Sequence, residues 1–167
     1  MAEYKYDKSL ASEQHNTLVM LDAALAKANL AMRPSFEILG GTAMTFHSID
    51  AVFTVDIDLA NKQQKQVKEI VEPFVSDMAA DVATLPRNYR DRLVPYSGGE
   101  FESFDVYLLS IEDLVITKLG SWRVKDQEDL TKTDILKKAD LRKVQQIINT
   151  EFKPDMASKL LVRFSSI

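Results

Sequence analysis

Between Ala51 and Leu59 the chain alternates strictly, and this nine-residue pattern restricts the fold more than any other stretch. Phe53, Val55, Ile57 and Leu59 fall on one face of a strand, and Thr54, Asp56 and Asp58 on the other. The apolar face calls for helices to cover it. The polar face carries two carboxylates one residue apart, roughly 6–7 Å from each other at the usual strand rise, close enough to converge on one cation. Just upstream, Phe36, Ile38 and Leu39 read as a short buried strand ended by Gly40 and Gly41, and Thr42 opens a brief helix, TAMTFHSI. A glycine turn running into a helix offers backbone N–H groups and a positive dipole end to an anion. One unit therefore offers an anion cradle and a Mg²⁺ platform. The same residues also suit a plainer reading, in which the Asp pair solubilises an edge strand and Gly-Gly is only a turn.

The remaining elements follow from periodicity and caps. Ser12 is expected to cap a helix to about Ala31 with Leu18, Leu21, Leu25 and Ala28 inward, ended by Arg33-Pro34. Asn61 is expected to cap a helix through residue 83, kinked at Pro73, that buries Val67, Ile70, Val71, Phe74, Val75 and Met78. Residues 84–99 read as a loop with one helical turn at NYRDR and a short strand near Leu93–Tyr96, closed by the turn Ser97-Gly98-Gly99-Glu100. Phe101 to Leu109 reads as a strand with Phe104, Val106 and Leu108 inward and Ser103, Asp105 and Tyr107 outward. Ser110 and Asp113 form a capping-box-like start to a helix that Gly120 ends. Residues 133–167 read as two or three helices, one capped by Asp140 with Leu141, Val144, Ile147 and Ile148 inward, another begun by Pro154. Trp122, the only tryptophan, suits a packing anchor better than a base-stacking surface.

Composition narrows the function classes. With 167 residues and no cysteine, the chain suits one domain without disulfides or thiolate chemistry. The expected division is a sheet-containing core over roughly residues 10–132 and a helical part over 133–167. A formal net charge of −4 gives no extended nucleic-acid surface, although basic clusters occur at RNYRDR and between Lys137 and Lys143. His15 and His47 have no Cys or His neighbours to complete a zinc site. Residues 1–16 carry no signal-peptide region and no apolar run approaches a bilayer span, so the expected location is cytoplasmic.

Gly40-Gly41-Thr42 followed by Thr54-x-Asp56-Ile57-Asp58-Leu59 resembles the signature of the polymerase-β-like nucleotidyltransferase superfamily. A second block, Leu109 to Leu119 followed by Arg123 to Leu130, resembles its small AbiEii-type and DUF6036-type branch. The resemblance implies an α+β fold, a nucleotidyltransferase-like mixed sheet flanked by helices. It implies transfer of a nucleoside monophosphate from an NTP to a hydroxyl-type acceptor (a small molecule, an RNA end or a protein), with Mg²⁺ or Mn²⁺ held by Asp56 and Asp58. Gly40, Gly41 and Thr42, with Thr54 in the motif, would seat the β- and γ-phosphates. Asp105 is the candidate for the superfamily's third carboxylate, as metal ligand or base, with a solvent-facing strand residue as its alternative. Lys118 would lie at the nucleotide site, its alternative being a snorkelling surface lysine. Arg123, Lys125, Asp126 and Asp129 would form the family's Lys-Asp-x-x-Asp block, Asp126 orienting Lys118 or an arginine, although first-turn acidic residues look similar.

The chain departs from the family at Val52 and Val55, where relatives often carry Arg and a polar or basic residue. That departure raises a rival expectation, a nucleotide-binding or protein-interaction module without turnover. A third, also from resemblance, is a toxin-like component of a toxin–antitoxin or abortive-infection system with a cognate antitoxin as partner.

Overall fold

A computed structural model of the chain describes residues 8–50, 52, 54 and 56–167, the side chains of residues 8–11 aside. Helix α1 (Lys8–Ala28) precedes strand β1 (Ser35–Leu39), the short helix α2 (Gly40–Phe46) and strand β2 (Asp58–Leu59). Helices α3 (Lys65–Val71) and α4 (Ala79–Val82) follow, then a 3-10 turn (Tyr89–Arg92) and strands β3 (Val94–Pro95) and β4 (Asp105–Leu108). The rest is helical: α5 (Ile111–Ser121), α6 (Val124–Lys132), α7 (Ile135–Lys138), α8 (Leu141–Glu151) and α9 (Pro154–Ser165). The fold is α+β and nucleotidyltransferase-like, as expected.

The four strands lie in the order β2-β1-β4-β3, with β1 and β4 parallel and the outer pairs antiparallel. Register assigns the faces. Phe36 pairs with Val106, and Ile38 with both Leu108 and Leu59, so these five apolar residues share one face, and all are buried. The other face carries Glu37, Leu39, Asp58 and Tyr107. Glu37 is buried there, where its carboxylate accepts from the Tyr89 hydroxyl at 2.6 Å and from Arg90 Nε at 3.1 Å. Burial and this carboxylate together push the Tyr89 phenol up.

Helix α5 is apolar on nearly every side; Leu114, Val115, Ile116 and Leu119 are fully buried, as a helix surrounded by others must be. It packs against α2, α6, α7, α8 and α9. Ser110 caps it by accepting from the Asp113 N–H. Asp113 is itself buried and bonded to Arg92, which also pairs with Glu151 at 2.6 Å, tying the 3-10 turn to α5 and α8.

Several boundaries differ from those expected, each for a local reason. Ser12 lies inside α1, which starts at least four residues earlier; the helix ends at Ala28, which is exposed, and Asn29 takes φ 47°. Of the described residues in the expected strand over 51–59, only Asp58 and Leu59 form a strand, because β1 ends at Leu39, the partner of Asp58. The carbonyls of Asp56 and Thr54 are taken instead by the Thr42 hydroxyl and the Gln14 amide. Ile57 and Leu59 are buried as the alternation requires, whereas Phe53 and Val55 lie outside the described residues. The expected helix over 61–83 is interrupted by Pro73 and by Ser76, which bonds to both Ile57 and Leu59 at the sheet edge. Asn61 does not cap it; its side chain bonds to Glu37 N and Ser35 O instead. Met78 is exposed as a result, and Leu141 at the start of α8 is 42% exposed rather than inward. Gly120 remains within α5, which ends at Trp122 in the left-handed region. No described helix is long and apolar enough to cross a membrane.

Candidate active site

Where β1 ends and α2 begins, the chain turns sharply, and two glycines make the turn. Gly40 has φ +69°, a conformation that costs other L-residues about 1–2 kcal/mol. At Gly41 the constraint is space: a Cβ there would lie 2.6 Å from the Thr54 Cβ. This close approach lets the loop carrying Asp56 lie against the turn, and the Thr42 hydroxyl fastens it from beneath. Gly41→Ala is therefore expected to lower stability by about 1–3 kcal/mol through overpacking, with Thr54→Gly restoring part of the loss in urea denaturation.

Gly40, Gly41, Leu39 and Thr54 line a cavity of about 480 Å³, within the usual range for small-molecule sites. Asp56 and Asp58 also line it, from β2 and the loop before it, and Ala79, Val82 and Ala83 from α4 and the residue after it. Helix α5 contributes Thr117, Lys118 and Ser121; Arg123, Lys125 and Asp126 come from the start of α6. Asp58 stands close to the glycine turn, its Oδ2 being 3.7 Å from a Cβ built on Gly40.

Two like charges and partial burial make this a costly place for an ionised carboxylate. Desolvation, reinforced by the neighbouring Asp56, raises the Asp58 carboxyl above its ordinary value, against the pull of Arg123, Lys118 and Lys125. A cation between the two aspartates would relieve the repulsion, and two hard carboxylate oxygens are the donors Mg²⁺ takes. The donor set fits that ion. No group of three metal-ligating side chains occurs among the described residues, so the remaining positions around a cation would fall to substrate oxygens and water.

Lys118 is buried although charged, and its partners explain how. Its Nζ donates to Asp129 at 2.7 Å and to Asp126 at 3.3 Å, which occupies two of its three donors. Asp126 is the hub: it also accepts from the Ser121 hydroxyl at 2.6 Å and from the backbone N and Nε of Arg123 at 3.0 and 2.9 Å. Burial pushes its carboxyl up, but these hydrogen bonds and the Lys118 charge hold it below the ordinary value. Donating to Asp126 in turn raises the Arg123 guanidinium, whose side chain remains 75% exposed at the cavity mouth.

The structure thus brings Asp56, Asp58, Gly40, Gly41, Thr54, Lys118, Arg123, Lys125 and Asp126 to one cavity. Thr42 is fully buried under it and does not line it. Asp105 is not brought there. It pairs with Ser35 at the far end of β1, four residues from Leu39, and its carboxylate bonds Arg33 Nε at 3.0 Å. Strand alternation identified its face but not its end of the sheet. Sequence reasoning also missed the α4 side of the cavity, because the break at Ser76 that positions it leaves no mark in the helical periodicity. Trp122 lies apart from the cavity, with the Arg163 guanidinium 5.5 Å from its ring centroid. His47 bonds the Leu109 carbonyl at 2.7 Å and is lowered by burial, and His15 bonds the Tyr96 hydroxyl.

A mixed sheet flanked by helices, with paired aspartates beside a glycine turn, defines a nucleotidyltransferase-like protein. The chain belongs to the nucleotidyltransferase family of unknown function DUF6036, whose family model matches residues 16–165. No curated protein and no solved structure matches it.

Proposed function

We propose that this cavity transfers a nucleoside monophosphate from an NTP to a hydroxyl-type acceptor with Mg²⁺. The observation that carries the reading is the meeting of Asp56 and Asp58 with the glycine turn and with Lys118, Arg123 and Lys125 in one cavity. Asp56 and Asp58 would hold the ion, and bound Mg²⁺ would offset phosphate charge as a Lewis acid. Gly40, lacking a side chain, lets the triphosphate approach the backbone. Lys118 has one donor beyond its two carboxylates to direct at a phosphate oxygen, and Arg123 and Lys125 add charge at the mouth. The acceptor oxygen attacks the α-phosphorus, the bond to the β-phosphate oxygen breaks, and pyrophosphate leaves. The acceptor proton passes to water in the open cavity, because Asp126 is committed to Lys118, Ser121 and Arg123. Phosphoryl transfer depends mainly on positioning and charge, so a dedicated base is not essential.

The test is transfer of labelled α-phosphate from each NTP to fractionated RNA, protein and small-molecule pools. Transfer by wild type but not by Asp56→Ala is the expected result; equal transfer by both would overturn the reading. A second reading, Mg²⁺-dependent nucleotide binding without turnover, draws support from Asp105, which lies away from the cavity, so that among the described residues no third carboxylate joins Asp56 and Asp58 as a metal ligand. Binding with no transfer to any pool would favour it.

A further inference from the structure

The cavity has a second side that the phosphate chemistry leaves unused. Leu39, Ala79, Val82 and Ala83 give it an apolar wall without a single side-chain donor or acceptor. This wall is firmly seated: Ser76 bonds to Ile57 and Leu59 on either side of Asp58, and further on Thr84 packs directly against Gly120 of α5. Yet Val82 is 81% exposed, more than any other large apolar side chain among the described residues, and Met78 one turn earlier is 74% exposed. The hydroxyls that α5 brings to the cavity are already committed to the chain itself. Thr117 donates to the Leu114 carbonyl and Ser121 to Asp126. The Thr54 hydroxyl stands on the cavity floor against Gly41.

Resting on the nucleotidyltransferase reading, we infer that the Val82 wall seats the nucleobase of the NTP by apolar contact alone, so that the site accepts all four bases. An NTP carries one apolar planar group, at the end away from its triphosphate. Among the described residues, this wall is the apolar surface that lines the cavity together with its cation-rimmed side. Discrimination among bases comes from hydrogen bonds to their edges, each good pair being worth about 1–3 kcal/mol. A wall that offers none should hold the four NTPs within about tenfold of one another.

The experiment is isothermal titration calorimetry of ATP, GTP, CTP, UTP and inorganic tripolyphosphate, all with Mg²⁺, against wild type, Val82→Asn and Val82→Phe. Val82 is exposed, so neither substitution should disturb folding. Val82→Asn is expected to weaken all four NTPs by about tenfold, and Val82→Phe to tighten them by stacking, while tripolyphosphate binding stays unchanged. A preference for one base beyond tenfold, a loss shared by tripolyphosphate, or no change in NTP affinity would overturn the inference. If wild type binds neither tripolyphosphate nor any NTP, the phosphate and metal reading fails, and the inference with it.

Discussion

Asp58→Asn is expected to abolish Mg²⁺-dependent turnover, by at least about 10²–10³-fold, without lowering stability. The two halves of this prediction have one cause. Burial and the adjacent Asp56 make the folded protein hold the Asp58 proton more tightly than the unfolded chain does. The resulting contribution to stability is favourable at low pH and is lost as pH rises from the ordinary carboxyl value through the raised one. At neutral pH the ionised group is therefore a net cost in the metal-free protein, and asparagine does not carry it. Thermal unfolding at pH 7 without metal should show the variant melting at or above the wild-type temperature, the difference shrinking as pH falls. A clear drop in melting temperature with full turnover retained would mean that Asp58 serves the fold rather than a metal. Residues kept at a cost to stability are expected at functional sites.

Lys118→Ala is expected to produce the largest loss of stability, about 3–5 kcal/mol, because it strands buried negative charge. Asp126 would keep Arg123 and Ser121, but Asp129 has Lys118 as the only cation within ion-pair distance among the described residues. The uncompensated charge should thus sit mainly on Asp129. Urea denaturation of the single variants and of Lys118→Ala with Asp129→Ala separates the contributions. The double variant should recover a substantial part of the loss. Destabilisation below about 1 kcal/mol, or no recovery, would mean that Asp129 is solvated well enough to need no partner.

The sequence made some parts of this site legible and concealed others, and the difference lies in the range of the interactions. Gly40-Gly41, the Asp56–Asp58 pair and the Lys118–Asp126–Asp129 spacing are local patterns, and the structure keeps them together because short elements carry each one. The order of strand and helix types could be read for the same reason, since apolar periodicity directly reflects which face is buried. Asp105 illustrates what alternation leaves out. It fixes the face of a strand, whereas the end of the sheet a residue reaches depends on register with β1, which is a contact about seventy residues distant. The burial of Lys118 depends likewise on two carboxylates from the next helix, although their spacing hinted at it. The α4 wall was hidden more deeply. A helical stripe kinked at Pro73 and running on through Met78 is self-consistent in sequence, and the pairing of Ser76 with the β2 edge, beyond the break at Pro73, interrupts it and turns Val82 toward the cavity.

Equilibrium binding of NTPs with and without Mg²⁺, to wild type and Asp58→Asn, tests the central claim most directly, because it requires no knowledge of the acceptor. The account predicts binding by wild type that depends on Mg²⁺ and that the substitution abolishes. Folded wild-type protein that binds no NTP at millimolar concentration, or binds it equally with and without Mg²⁺, would contradict a metal–triphosphate site at Asp56 and Asp58.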